Sequence, residues 1–282
     1  MILYLNCNKS ESQTSWNKSD YLLKASEQLG IADKVELYKG QGNPEYVLNI
    51  EPFDRFIKGS TWTGIWEIDL MLDRAETNIS NWLECDTVFV ANNNIPSRLR
   101  SYSGEITTLF QACEPSIHRR LKEITPTYDF VFSGTVGLDI YRKREEAMNT
   151  LKNSGFSFLD QQKGHTPQEY IKRLNSARVQ FIRSGCKEPF NSQVEQRFFE
   201  CLALGPVLKD YHPDLEKLGL SEGVDFFWYK DDQEMLKKMK TLIDFPQFAQ
   251  KMADSGRAKA LMYHTYEHRL ISIFNIIKDL NV

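Results

Sequence analysis

Short apolar runs alternate with longer helical patterns along most of this 282-residue chain, and the alternation starts afresh half-way. In the first half, runs at 2–6, 35–38, 46–50, 64–68, 87–91 and 107–111 read as strands, and a helical pattern at 20–29 stops at Gly30. A further helical pattern covers 116–123. In the second half, strands are expected at 130–133, 156–159, 179–183, 207–209 and 226–229, separated by helical patterns at 141–153, 167–177 and 193–204. Such alternation builds parallel sheets with helices on both faces, and sheets of that kind take ligands at the carboxyl ends of their strands. The chain then turns all-helical at 232–243, 245–262 and 266–280. Leu270, Ile273, Phe274, Ile277 and Leu280 give the last of these an apolar face, expected to cross back onto the N-terminal half. The expectation is an α/β chain of two Rossmann-like domains facing a cleft, residues 1–125 and 126–282, parted near Thr125-Pro126-Thr127, with the C-terminal helices packing back.

The net charge of −3 supplies no general attraction to nucleic acid or to an anionic membrane. Five scattered cysteines show no metal-binding spacing, so reduced thiols in the cytoplasm are expected. Residues 1–6 read as a buried strand, not as a leader, and no run reaches the apolar length of a membrane span.

Three segments carry candidate chemistry. Arg197 and Glu200 stand three apart at the start of an amphipathic helix that runs into an apolar strand. On one face they offer a fixed cation and a fixed carboxylate, which suits the diphosphate and ribose diol of a nucleotide sugar. The alternative is an exposed ion pair at helical spacing. Ser133-Gly134-Thr135 joins a strand to the helical pattern that opens with Arg142, Lys143 and Arg144. That layout aims backbone N–H groups at phosphate, or else is a plain turn. Arg144 is the favoured cation there, because Ala147, Met148 and Leu151 mark the inward face. Finally, the loop after the strand at 179–183 places Lys187 and Asn191 where a sugar or phosphate is within reach, unless the loop is simply surface.

The segment Arg197-Phe198-Phe199-Glu200-Cys201-Leu202-Ala203-Leu204-Gly205 resembles the R-x-F-E-x-x-A-x-G motif of GT-B glycosyltransferases of the CgeB-like, glycosyl-transferase-group-1 kind. His264-Thr265-Tyr266-Glu267-His268-Arg269 resembles the start of that family's last helix, and Asp225-Phe226-Phe227-Trp228-Tyr229-Lys230-Asp231 one of its strands. Tyr128-Asp129-Phe130-Val131-Phe132-Ser133-Gly134 is similar to the first strand of its donor domain, and 109–118 to the segment before it. The resemblance implies a glycosyltransferase using a nucleotide-diphosphate sugar such as a UDP-sugar. It assigns Glu200 to the ribose hydroxyls and directs Arg197, Arg144, Gly134 and Thr135 to the diphosphate. Retaining relatives often carry a second glutamate eight residues earlier; here that position is Ser192.

No Asp-x-Asp motif is present, so metal-independent transfer is expected, with no cofactor beyond the sugar donor. Arginines would then stabilise the leaving diphosphate. An inverting transfer also needs a base near the acceptor hydroxyl. Asp69, Asp73, Glu114 and His118 are the candidates in the first half, with Asp69 selected. The acceptor is left open among a glycan, a small molecule and modified DNA. Arg98, Arg100, Arg119, Arg120 and Lys122 would serve a transferase acting on hydroxymethylated bases, or are scattered solvated charge. A third reading is a nucleotide-sugar binding protein without transfer. Trp62, Trp66 and Trp82 are expected in the core, not as sugar platforms.

Overall fold

The structure, a computed structural model, describes residues 1–7, 18–30, 34–50, 55–67, 80–93, 102, 104–136, 138, 141–160, 166–184 and 194–280. Contacts divide the chain into two units, Met1–Gln111 with Tyr266–Val282, and Ala112–Thr265.

Unit 1 holds β1 (Ile2–Cys7), α1 (Lys18–Leu29), β2 (Lys34–Leu37), β3 (Tyr46–Ile50), β4 (Trp62–Glu67), β5 (Thr87–Val90) and β6 (Glu105–Thr108). They form one sheet in the order β2-β1-β3-β4-β5-β6, parallel throughout. β4 and β5 are buried along their whole length, as central parallel strands covered on both faces should be. Trp62, Trp66 and Trp82 are core residues, as expected. Gly30, at φ +56°, takes the left-handed conformation that ends α1.

Unit 2 holds β7 (Tyr128–Phe132), α2 (Arg142–Asn153), β8 (Phe158–Asp160), α3 (Pro167–Asn175), β9 (Ala177–Ile182), α4 (Gln196–Leu202), β10 (Val207–Asp210), a 3-10 turn (Pro213–Lys217), β11 (Phe227–Tyr229), α5 (Asp232–Asp244) and α6 (Pro246–Tyr263). Its sheet is also parallel, in the order β11-β10-β9-β7-β8. The alternation along β7 shows why helices cover both faces. Phe130 and Phe132 enter one apolar cluster with Met148 and Met235, while Val131 enters another with Ile171 and Leu174.

The last helix, α7 (Tyr266–Leu280), belongs to unit 1. Tyr266 stacks on Tyr21 at 4.9 Å between ring centroids and meets Trp66 edge-on. Arg269 donates from Nε to Phe110 O at 2.6 Å and from Nη2 to Gln111 O at 3.0 Å. Of the apolar face expected to cross back, Leu270, Ile273, Phe274 and Ile277 are buried, whereas Leu280 at the helix end is exposed.

Two expectations are corrected. The division falls after Gln111, not after Thr125, so 112–125 belong with the second unit and the last helix with the first. The segment 116–123 forms turns, not a helix. Its side chains compete with the helical ladder. The Glu114 carboxylate accepts from Ser116 N and Oγ, the Glu114 N–H is spent on His118 Nδ1, and Leu121 N donates to Asn175 Oδ1.

No described helix is long and apolar enough to cross a membrane. None of the four described cysteines is in a disulfide.

Candidate active site

In unit 2 the strand order reverses between β7 and β9, whose neighbours lie on opposite sides. A doubly wound sheet opens a crevice at such a point, beyond the carboxyl ends of the strands. β7 ends at Phe132 and is followed by Ser133, Gly134 and Thr135; β9 ends at Ile182 and is followed by Arg183 and Ser184.

Arg197, in the first turn of α4, lies across this edge. Its guanidinium carbon is 5.9 Å from the centroid of the Phe132 ring. A Cβ at Gly134 would sit 2.7 Å from its Nη1 and 2.9 Å from Phe132 Cζ, so any larger residue would have to displace one of these side chains. Arg197 Nη1 is buried and finds no hydrogen-bond partner among the described residues.

Arg144 is buried from the other side, its guanidinium 4.2 Å from the Tyr141 ring and 5.9 Å from Phe132. It donates from Nη1 to Thr135 O at 2.9 Å and from Nε to Arg183 O at 3.1 Å. It thereby ties the loop after β7 to the chain leaving β9. Neighbouring Arg142 is exposed and paired with Glu146. Of the two, Arg144 is the one turned inward.

Glu200 is 6 % exposed, and no ion pair joins it to Arg197 among the described residues. The alternative of a solvated pair is thereby removed. Its Oε2 accepts from Tyr170 Oη at 3.0 Å; its Oε1 accepts from Gln196 Nε2 at 2.6 Å and lies 3.4 Å from His118 Nε2. Because His118 Nδ1 accepts the Glu114 N–H, the ring presents its Nε2–H to the carboxylate. Burial alone would raise the Glu200 carboxyl. The His118 imidazole and hydrogen bonds from Gln196 and Tyr170 outweigh it and hold the group at about 2. Burial, then the Glu200 charge, push the Tyr170 phenol well above its ordinary value, so it stays a donor. Ser133 Oγ in turn donates to Tyr170 Oη at 3.3 Å. The chain Ser133–Tyr170–Glu200–His118 thus links the end of β7 to α3, α4 and the 116–123 turns.

A second buried ionic group adjoins the start of α4. Lys209, fully buried on β10, lies 2.8 Å from Glu195 Oε2, 2.9 Å from Ser184 Oγ and 3.2 Å from Asp210 Oδ1. Burial would raise the Glu195 carboxyl, but Lys209 holds it at about 2.

The structure brings Gly134, Thr135, Arg144, Arg197 and Glu200 to one region of unit 2. Asp69, Asp73, Lys187, Asn191, Ser192, Arg98 and Arg100 lie outside the described residues. Glu114 and His118, weighed as bases on the first half, are in unit 2, and His118 is buried against Glu200. Arg120 bonds Leu204 O and Asp254, which thins the basic set considered for a DNA acceptor. Among the described residues no group of three or more His, Cys, Asp or Glu side chains could hold a metal ion. Tyr170 and Lys209 were missed by sequence reasoning. Tyr170 carries no distinguishing signal, but a lysine inside the apolar run Val207-Leu208-Lys209 was a readable anomaly.

No curated protein sequence matches the chain. Solved structures do match in fold. Sucrose-phosphate synthase from Thermosynechococcus elongatus is 10% identical with a TM-score of 0.64, over 99% of this chain and 98% of that one. The Anabaena protein Alr3699/HepE in complex with UDP-glucose is 11% identical at 0.60, over 99% of each chain. AviGT4, a glycosyltransferase of avilamycin A biosynthesis, is 9% identical at 0.59, over 99% and 97%. These are GT-B folds, and at such identity the likeness speaks for architecture. The family model described as glycosyl transferase-like matches residues 116–275, more than half of the sequence, including Gly134, Arg144, Arg197 and Glu200. This chain belongs to the glycosyl transferase-like family.

Proposed function

We propose that the chain moves a sugar from a nucleoside-diphosphate sugar to an acceptor hydroxyl, without a metal ion, with the donor seated on unit 2 beyond β7 and β9. The observation that carries this reading is the buried Nη1 of Arg197, without a described partner and turned against Gly134 at the strand-order reversal. A desolvated guanidinium N–H with no acceptor is costly unless an anion arrives. Cleavage of the sugar–phosphate bond develops negative charge on the leaving diphosphate, and in this reading Arg197 meets it. Glu200, ionised above a pH of about 2, suits the ribose diol. A carboxylate has about four acceptor positions, and three protein donors surround this one, which leaves room for a hydroxyl. The UDP and UDP-glucose complexes of the Anabaena protein favour a uridine nucleotide. Four described cysteines outside any disulfide suit a cytoplasmic setting.

Titration calorimetry with UDP, GDP, ADP and their glucose conjugates, with and without EDTA, tests the reading. A nucleoside diphosphate that binds equally well with chelator, and whose sugar conjugate is turned over to free nucleotide, is the expected result. Loss of turnover with EDTA overturns the metal-free assignment. Binding without any turnover leaves a nucleotide-sugar binding protein, and absence of all binding ends the donor-site reading.

A further inference from the structure

A lysine in an interior strand is an expensive choice, because a desolvated ammonium needs full pairing, and an apolar residue of equal size often serves stability as well. Lys209 sits on β10, between β9 and β11, and is 0 % exposed. The ammonium donates to Ser184 Oγ and Asp210 Oδ1 and forms an ion pair with Glu195 Oε2 at 2.8 Å.

The partners fall on two routes. Glu195 is the residue immediately before α4, and its carbonyl accepts the Phe198 N–H at 2.9 Å. Fixing Glu195 fixes the first turn of the short helix that carries Arg197 and Glu200. Ser184 and Asp210 form the other route. Asp210 Oδ1 accepts from Ser184 N at 2.9 Å, and Oδ2 accepts from Arg183 Nη1 at 3.0 Å. The Arg183 carbonyl is the acceptor that seats Arg144 Nε. One ammonium therefore connects the backbone supports of both guanidinium groups, although neither belongs to its own strand.

We propose that Lys209 is a positioning residue for the donor site, setting Arg197 through Glu195 and Arg144 through Ser184 and Arg183. The proposal rests on the donor-site reading above and deepens it.

The test compares wild type, Lys209→Met, Glu195→Gln, Ser184→Ala and the double variant Lys209→Met/Glu195→Gln. UDP affinity and kcat and KM for UDP-glucose cleavage are measured well below each melting temperature. The side-chain Nε–H signal of Arg197 is followed by NMR without nucleotide. Lys209→Met should lose about 10²-fold in kcat/KM, mostly in kcat, as misplacement of a catalytic group by about 1 Å does. Glu195→Gln and Ser184→Ala should each lose part of this. The double variant should be no worse than Lys209→Met, because Glu195 acts through the same ammonium. The Arg197 signal should move in Lys209→Met and Glu195→Gln. If Lys209→Met does not fold, the two milder variants carry the same readouts. Wild-type kinetics with only a lowered melting temperature, additive losses in the double variant, or an unmoved Arg197 signal would each overturn the proposal. Should wild type bind no nucleoside diphosphate while the Arg197 signal still moves, the donor-site reading fails and the positioning role stands.

Discussion

The two sheets share one winding but treat the strand-order reversal in opposite ways. In unit 1 the reversal lies between β1 and β3, where two asparagines bond to each other. Asn6 Nδ2 donates to Asn49 Oδ1 at 2.7 Å, and Asn49 also donates to Ile57 O and Gly64 O and accepts from Ile57 N. In unit 2 the equivalent place holds Gly134 and a guanidinium with an N–H to spare. Among the described residues the two asparagine amides are satisfied from within, whereas Arg197 Nη1 is buried without a partner. Topology alone nominates both edges, and only the side chains distinguish them.

The largest expected effect concerns acid stability. Glu200 titrates near 2 in the folded chain against 4.5 for an unperturbed glutamate. Its contribution is present above pH 4.5 and fades as pH falls towards 2, amounting to about 3 kcal/mol. Urea unfolding of Glu200→Gln should show a flatter acid limb than wild type; identical limbs would mean the carboxylate is not held as described.

Arg197→Ala comes next. Loss of a charge-assisted hydrogen bond costs about 1.5–3 kcal/mol, or about 10- to 150-fold in kcat/KM. Turnover should fall more than donor affinity, and equal losses would mean the arginine binds ground and transition states alike.

Asn49→Ala would break the comparison from the other side. Leaving its partners unsatisfied should cost about 1–3 kcal/mol of stability with no change in UDP affinity. Weaker UDP binding would show that the two edges are not as different as their side chains imply.

Gly134→Ala is the mildest. The added methyl must displace the Arg197 guanidinium or the Phe132 ring, and about a tenfold loss of UDP affinity is expected. Wild-type affinity would remove Gly134 from the donor site.

Most strands were legible because a buried parallel strand is an uninterrupted apolar run between turn residues. Thr87–Val90 and Val207–Asp210 begin where the sequence placed them. The turns at 116–123 were not legible, because the helical pattern there yields to bonds made by particular side chains, His118 and Glu114 among them. The burial of Arg144 was readable from helical phase and its apolar neighbours, whereas spacing left Arg197 and Glu200 open between a site and an exposed pair, and only the family resemblance gave them roles. Spacing could not show that Glu200 is surrounded by Tyr170 and His118, contributed by distant segments. The division after Gln111 was equally hidden, since no change of composition marks it.

The stacking of Tyr266 on Tyr21 has a consequence for biosynthesis. Strands β1 to β6 leave the ribosome before unit 2, yet the helix that packs against Tyr21 and Trp66 is made only after it. Every residue of unit 2 intervenes, so the later unit has all its parts sooner. A nascent chain halted before Tyr266 should carry a completed second sheet and a first sheet still waiting for its cover.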